Sequence, residues 1–134
     1  MAKKKLTRAK LVKKLDVIFS KYIRLKNANH RGQVKCVTCG KIDLWDGGTM
    51  QAGHFMSRKH YSTRWDEDNV QVQCVGCNMF KQGEQYKFSI FLGKTKSKRL
   101  YLQSKKLVQY YNHELEDMIN HYTTEYKDLL SQLD

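Results

Sequence analysis

Two matched pairs of cysteines, Cys36-Val-Thr-Cys39 and Cys74-Val-Gly-Cys77, are the residues whose type and spacing specify chemistry most directly. The two-residue spacer lets both thiolates of a pair face one ion. Two such pairs supply the four soft ligands of a tetrahedral zinc site. Disulfides are the competing use of the same residues, and thiols kept in a reducing compartment favour the metal. Between the pairs lie Gln51-Ala-Gly-His54-Phe55 and then Asp68-Asn69, and Asn78 follows Cys77 directly. A zinc ion that closes both pairs clamps the two ends of the segment holding His54 and Asn69.

Imidazole and carboxamide groups inside a metal-stapled loop suit phosphodiester hydrolysis. That reaction needs a neutral imidazole to take a proton from water and a partner that fixes which ring nitrogen is free. It also needs a cation to offset charge on the phosphate and the leaving oxygen. Taken alone, His54 reads better as a buried histidine packed on the knuckle, and Asn78 reads also as a helix cap. Arg58, Lys59 and Arg64 lie between His54 and Asn69, and Lys81 lies just beyond Asn78. These are the cations placed to meet a phosphate there, the arginines through their planar forks.

Charge along the chain says what would hold a polyanion. The net +12 divides as +11 over residues 1–35, zero over 36–83, +6 over 84–112 and −5 over 113–134. Grip on nucleic acid therefore belongs to the segments flanking the cysteine unit, with Lys13 and Lys14 on the first of them. At 134 residues, 40% hydrophobic and a mean hydropathy of −0.71, the chain is one domain with a small core that a metal staple would help. No apolar run is long enough to span a bilayer, and no secretory apolar segment follows the basic start.

Three regions position these residues. Residues 1–32 are a basic helical segment: Leu11, Leu15, Ile18, Tyr22 and Leu25 recur at helical steps, widened by Val12, Phe19 and Ile23, and Asn27 to Gly32 end the helix. Residues 33–83 are the cysteine unit, with short strands expected at 33–35, 49–55 and 69–73 and a helix from Cys77 to Gly83. Residues 84–134 are helical, with segments at 85–92 and 99–111, a break at 93–97, and a final acidic helix. Leu115, Met118, Ile119, Tyr122, Tyr126, Leu129, Leu130 and Leu133 line one side of that helix. It is expected to pack on the basic first helix, within the chain or across a dimer.

The order His54, Asn69, Asn78 within the cysteine frame resembles the His-Asn-His (HNH) nucleases, here in a His-Asn-Asn form. The spacing is similar to that of the endonuclease VII family of T-even phages. A broader match resembles the phage NinG/Rap recombination nuclease family. It rests on Phe19-Ser-Lys-Tyr-Ile-Arg-Leu25, Cys36-Val-Thr-Cys-Gly40, Ala52-Gly-His-Phe55, Arg64-Trp65, Asp68-Asn69, Gln73-Cys-Val-Gly-Cys-Asn78 and Gly83 to Tyr86. The resemblance implies an α+β fold, a small zinc-bound ββα-metal, treble-clef-like core flanked by N- and C-terminal helices. It also implies a structural Zn²⁺ on Cys36, Cys39, Cys74 and Cys77, and a catalytic Mg²⁺ or Mn²⁺.

In function, the resemblance implies an endonuclease, phage-encoded and cytoplasmic in a bacterial host, that acts on branched double-stranded DNA such as Holliday junctions and displacement loops. A homodimer is expected, because paired cuts call for two sites. His54 would be the general base, Asn69 its orienting residue and Asn78 a ligand of the catalytic ion. One position departs from the wider class, which often carries Asp just before the base; here it is Gly53. Gln51, His60 and Asp46 are the nearby candidates to supply the ligand, with water and phosphate completing the shell. The alternative is a non-catalytic zinc-knuckle module that binds nucleic acid. A weaker one is an adaptor that uses the final apolar stripe.

Overall fold

The computed structural model describes residues 5–133. Helix α1 (Arg8–Lys26) begins where Thr7 Oγ1 accepts the Lys10 N–H and ends at Asn27, whose side chain donates to the Ile23 carbonyl. Two short antiparallel hairpins follow: β1 (Gln33–Lys35) with β2 (Ile42–Leu44), and β3 (Met50–His54) with β4 (Val70–Cys74). Helix α2 (Tyr61–Arg64) lies in the β3–β4 connection, and a wide turn with a five-residue closing bond (Gly76–Phe80) follows β4. Helices α3 (Gln85–Leu92), α4 (Lys94–Ser104) and α5 (Asn112–Leu130) complete the chain. Among the described residues no helix is long and apolar enough to cross a membrane.

The main core is the seam between α1 and α5. Leu11, Leu15, Phe19 and Ile23 pack with Leu115, Ile119 and Tyr122, and Trp65 and Val70 close the cluster from the β3–β4 unit. The two helices run parallel: Arg8 reaches the Tyr110 carbonyl at one end, Tyr122 packs on Phe19 and Tyr22, and Lys21 sits over Tyr126. The apolar stripe of the acidic helix is thus largely used within the chain. A second cluster gathers Val34, Trp45, Met50 and Val72 around Cys36, Cys74 and Cys77, and a third holds Phe55, Phe88, Leu92 and Leu100.

The helical region differs from expectation in its boundaries. The break after α3 is one residue, Gly93 at φ +86°, and α4 begins at Lys94. Ser97 Oγ donates to the Ser89 carbonyl, so the polar stretch 94–98 is stitched to α3 as helix. The same helix stops at Ser104, earlier than the pattern to Tyr111 suggests. Leu107 is fully exposed and Val108 partly so, which leaves little packing to sustain further turns. Strand β2 and helix α2, too short to show periodicity, were not legible in the sequence.

Candidate functional site

Each cysteine pair is a folded knuckle. In the first, the Gly40 N–H bonds to the Cys36 carbonyl, with Gly40 at φ +83°, and the Cys36 N–H bonds to the Lys41 carbonyl. In the second, the Cys77 N–H points at Cys74 Sγ at 3.5 Å. The Val37 N–H donates to the Val72 carbonyl and ties the first knuckle to β4. All four sulfurs lie within 4.8 Å of one another, and Cys39 Sγ is 3.6 Å from Cys74 Sγ. Sulfurs at the corners of a zinc tetrahedron with bonds of about 2.3 Å stand roughly 3.8 Å apart. The four cysteines are placed to bind a metal ion, and an all-sulfur tetrahedron suits zinc.

Their acidities are unequal. Burial opposes ionisation of Cys36, but hydrogen bonds from the Thr38 hydroxyl and neighbouring backbone bring its thiol below the ordinary value. Burial pushes the Cys77 thiol well up. Metal binding would therefore have to expel a proton from Cys77, which makes affinity fall with acidity.

His54 ends β3 and lines an open cleft of about 920 Å³. Its Nε2 lies 3.0 Å from the Arg64 carbonyl oxygen. A carbonyl only accepts, so Nε2 carries the ring proton and Nδ1 keeps the free lone pair. Burial, joined by the charges of Arg58 and Arg64, carries the His54 pKa down to about 4, against the opposing Arg64 hydrogen bond and Asp16. The ring is neutral at physiological pH.

Asn69 is fully buried and does not act on the ring directly. Its Oδ1 accepts from the Met56 N–H, and its Nδ2 donates to the Met56 and Thr63 carbonyls. It thereby fixes the segment whose next carbonyl, that of Arg64, holds His54. Asn78 Nδ2 donates to Gln51 Oε1 at 2.8 Å, and both residues line the cleft with His54. Asn78 Oδ1 has no donor among the described residues. His60 caps α2 and Asp46 is exposed beside Arg24; neither is a cleft-lining residue.

Arg58 lines the cleft with its side chain 63% exposed, its Nη1 in a long 4.0 Å ion pair with Asp16 Oδ2. Lys13, Lys14, Lys59 and Lys81 are exposed around the same unit. Arg64 is committed differently. Its Nε and Nη2 donate to Asp16 at 3.1 and 2.5 Å, and its Nη1 donates to the Arg58 carbonyl. Part of the basic stretch of α4 is also spent internally, since Arg99 bonds to Asp66 and Asp68.

Helix α1 supplies a wall of the cleft that motif reading missed: Asp16, Ser20 and Arg24, one turn apart. The signal was available. Asp16 is the only acid among residues 1–35. Among the described residues it is also the only carboxylate lining the cleft, and it accepts from Trp65 Nε1 as well as Arg64.

Gly53 also has a physical explanation. A Cβ there would lie 1.8 Å from Gln73 Oε1, which fills the space across the hairpin. Gln73 is fully buried. Its Nε2 donates to Thr38 Oγ1 and to the Gly83 carbonyl, which leaves Oε1 without a conventional donor and against Gly53. A side chain at position 53 fits only if buried Gln73 gives way.

A family model for the bacteriophage lambda NinG protein matches residues 1–132. The chain belongs to the NinG family. No curated protein and no solved structure matches it. For this NinG-family chain the match spans the helices as well as the cysteine unit, so the wall from α1 falls within the region that defines the family.

Proposed function

We propose that this protein is a metal-dependent endonuclease of branched DNA, with a ββα-metal core and His54 as general base. The observation that carries the reading is the His54 ring, neutral and protonated on Nε2 by its bond to the Arg64 carbonyl. Nδ1 is thereby left to take a proton from an attacking water. Asn69 fixes the loop that supplies this carbonyl. Arg58, exposed at the cleft, would hold the phosphate flanking the cut. The lysines of α1 and of residues 84–112 would track the DNA arms.

A divalent ion, when bound, would stabilise charge on the phosphate and the leaving 3′ oxygen. Asn78 Oδ1 is the uncommitted protein oxygen for it, beside Gln51. The shell would otherwise be water and phosphate, a composition Mg²⁺ accepts. A homodimer in the host cytoplasm would place two such sites on a junction.

The alternative, a zinc module that binds DNA without cutting, draws on one observation: among the described residues the only carboxylate of the cleft is already engaged by Arg64. Incubation of the protein with linear, forked and four-way DNA, with and without Mg²⁺ or Mn²⁺, separates the two. Cutting of the branched substrates that depends on added metal supports the nuclease. Binding of all three with no cutting under any metal supports the module.

A further inference from the structure

The turn between the second knuckle and α3 is strained. Gln82, Gly83 and Glu84 are consecutive residues in the left-handed region, at φ +52°, +84° and +49°. Two of them carry side chains, and each non-glycine residue held there costs on the order of 1 kcal/mol or more. The strain is restrained from inside: buried Gln73 donates to the Gly83 carbonyl at 2.8 Å, and the Gly83 N–H reaches the Cys77 carbonyl. What this conformation presents outward is apolar. Phe80 is 80% exposed and Tyr86 78%, with Met79 and Ile90 at 62% each. Met79 and Gln85, the immediate neighbours of Phe80 and Tyr86, line the cleft that holds His54.

We infer that Phe80 and Tyr86 form a stacking platform at the rim of the cleft for unpaired bases of a DNA strand. This deepens the nuclease reading and rests on it for the choice of DNA. Two features favour nucleic acid over a second copy of the chain as the occupant. The platform is continuous with the candidate cleft. Its surroundings carry a net positive charge: Lys81 is exposed, and Glu84 between the two aromatics is offset by its ion pair with Lys87. An aromatic face stacks on any base, so such a platform reads the unpaired state of a strand and not its sequence. At a branch point, where bases leave the stack, it would set the cleft against the adjoining phosphodiester.

The test is binding, measured by fluorescence anisotropy without added Mg²⁺. It compares a linear duplex with the same duplex carrying an unpaired fork, for the full chain and for Phe80→Ala, Tyr86→Ala, Phe80→Leu and Tyr86→Leu. Base–aromatic stacking is worth about 1–3 kcal/mol per base, so each alanine should weaken fork binding about 5- to 150-fold. Duplex affinity should stay unchanged, and leucine should behave as alanine. Fork binding equal to wild type overturns the platform, as does full retention by the leucine variants. A wild-type dimer that the alanine variants dissociate, seen by sedimentation, would assign the patch to a second copy and likewise overturns it. The nuclease reading fails separately: fork-selective binding without metal-dependent cutting sinks that reading and leaves the platform standing.

Discussion

Replacing Asp16 by Asn tests how the His54 imidazole is positioned. Asp16 Oδ1 accepts from Arg64 Nε at 3.1 Å and Trp65 Nε1 at 3.0 Å, and Oδ2 accepts from Arg64 Nη2 at 2.5 Å. A carboxamide of the same shape must turn its NH₂ toward at least one of these donors. Removing one partner of a well-buried ion pair costs about 3–5 kcal/mol. The Asp16 and Arg64 side chains keep 19% and 13% exposure, so about 2–3 kcal/mol is expected, a drop in Tm on the order of 10 °C. The local consequence is more specific. Arg64 held from α1 presents the carbonyl that fixes His54 Nε2–H, so release of its guanidinium loosens the tautomer. Urea unfolding gives the first quantity, and long-range ¹H–¹⁵N correlation of the imidazole rings gives the second. Wild type should show one neutral tautomer of His54 protonated on Nε2, Asp16→Asn a mixture, and Asp16→Glu an intermediate state. A variant within about 0.5 kcal/mol of wild type that keeps a single tautomer would refute the coupling.

Three further outcomes are expected. The His54 pKa of about 4 lies below its ordinary value of 6.5, so the unfolded chain binds the proton first. Stability should then fall as pH drops from about 6.5 toward 4, and kcat/KM should keep its base form down to about pH 4; an acid limb at 6.5 or above contradicts this. Introducing the missing carboxylate as Gly53→Asp should destabilise by about 1–3 kcal/mol through collision with Gln73 Oε1. In a Gln73→Ala background the same change should cost under about 1 kcal/mol, and strict additivity of the two in urea unfolding would argue against the collision. Zinc chelation, or Cys36→Ser, should expose Trp45, which packs in the cysteine cluster, and remove several kcal/mol of stability. An unchanged tryptophan emission maximum would show that the four cysteines hold no structural metal.

Much of the scaffold was legible because it depends on strong local patterns. The stripe of α1, the cysteine spacings and strands β3 and β4 follow from periodicity or ligand geometry, and β1 from its place at the entry to the first knuckle. What escaped was set by tertiary contact. Asp16 sits on a helix whose basic composition draws attention to its exposed lysines, and only folding places its carboxylate against Arg64. For the same reason Arg64 looked like a phosphate ligand, although most of its fork is turned inward. Gly53 looked like a gap in a motif, and it is the space that Gln73 occupies. Asn69 stood at the expected place, yet it acts on the backbone of the loop and reaches the imidazole only through it.

The central claim is that His54 supplies the base for phosphodiester hydrolysis. Single-turnover cleavage of a four-way junction by His54→Gly, with and without added imidazole and with Mg²⁺ present, tests it most directly. Loss of a general base should slow cleavage about 10²- to 10⁴-fold, junction affinity should be retained, and free imidazole should restore part of the rate. Cleavage by His54→Gly at the wild-type rate would contradict the account.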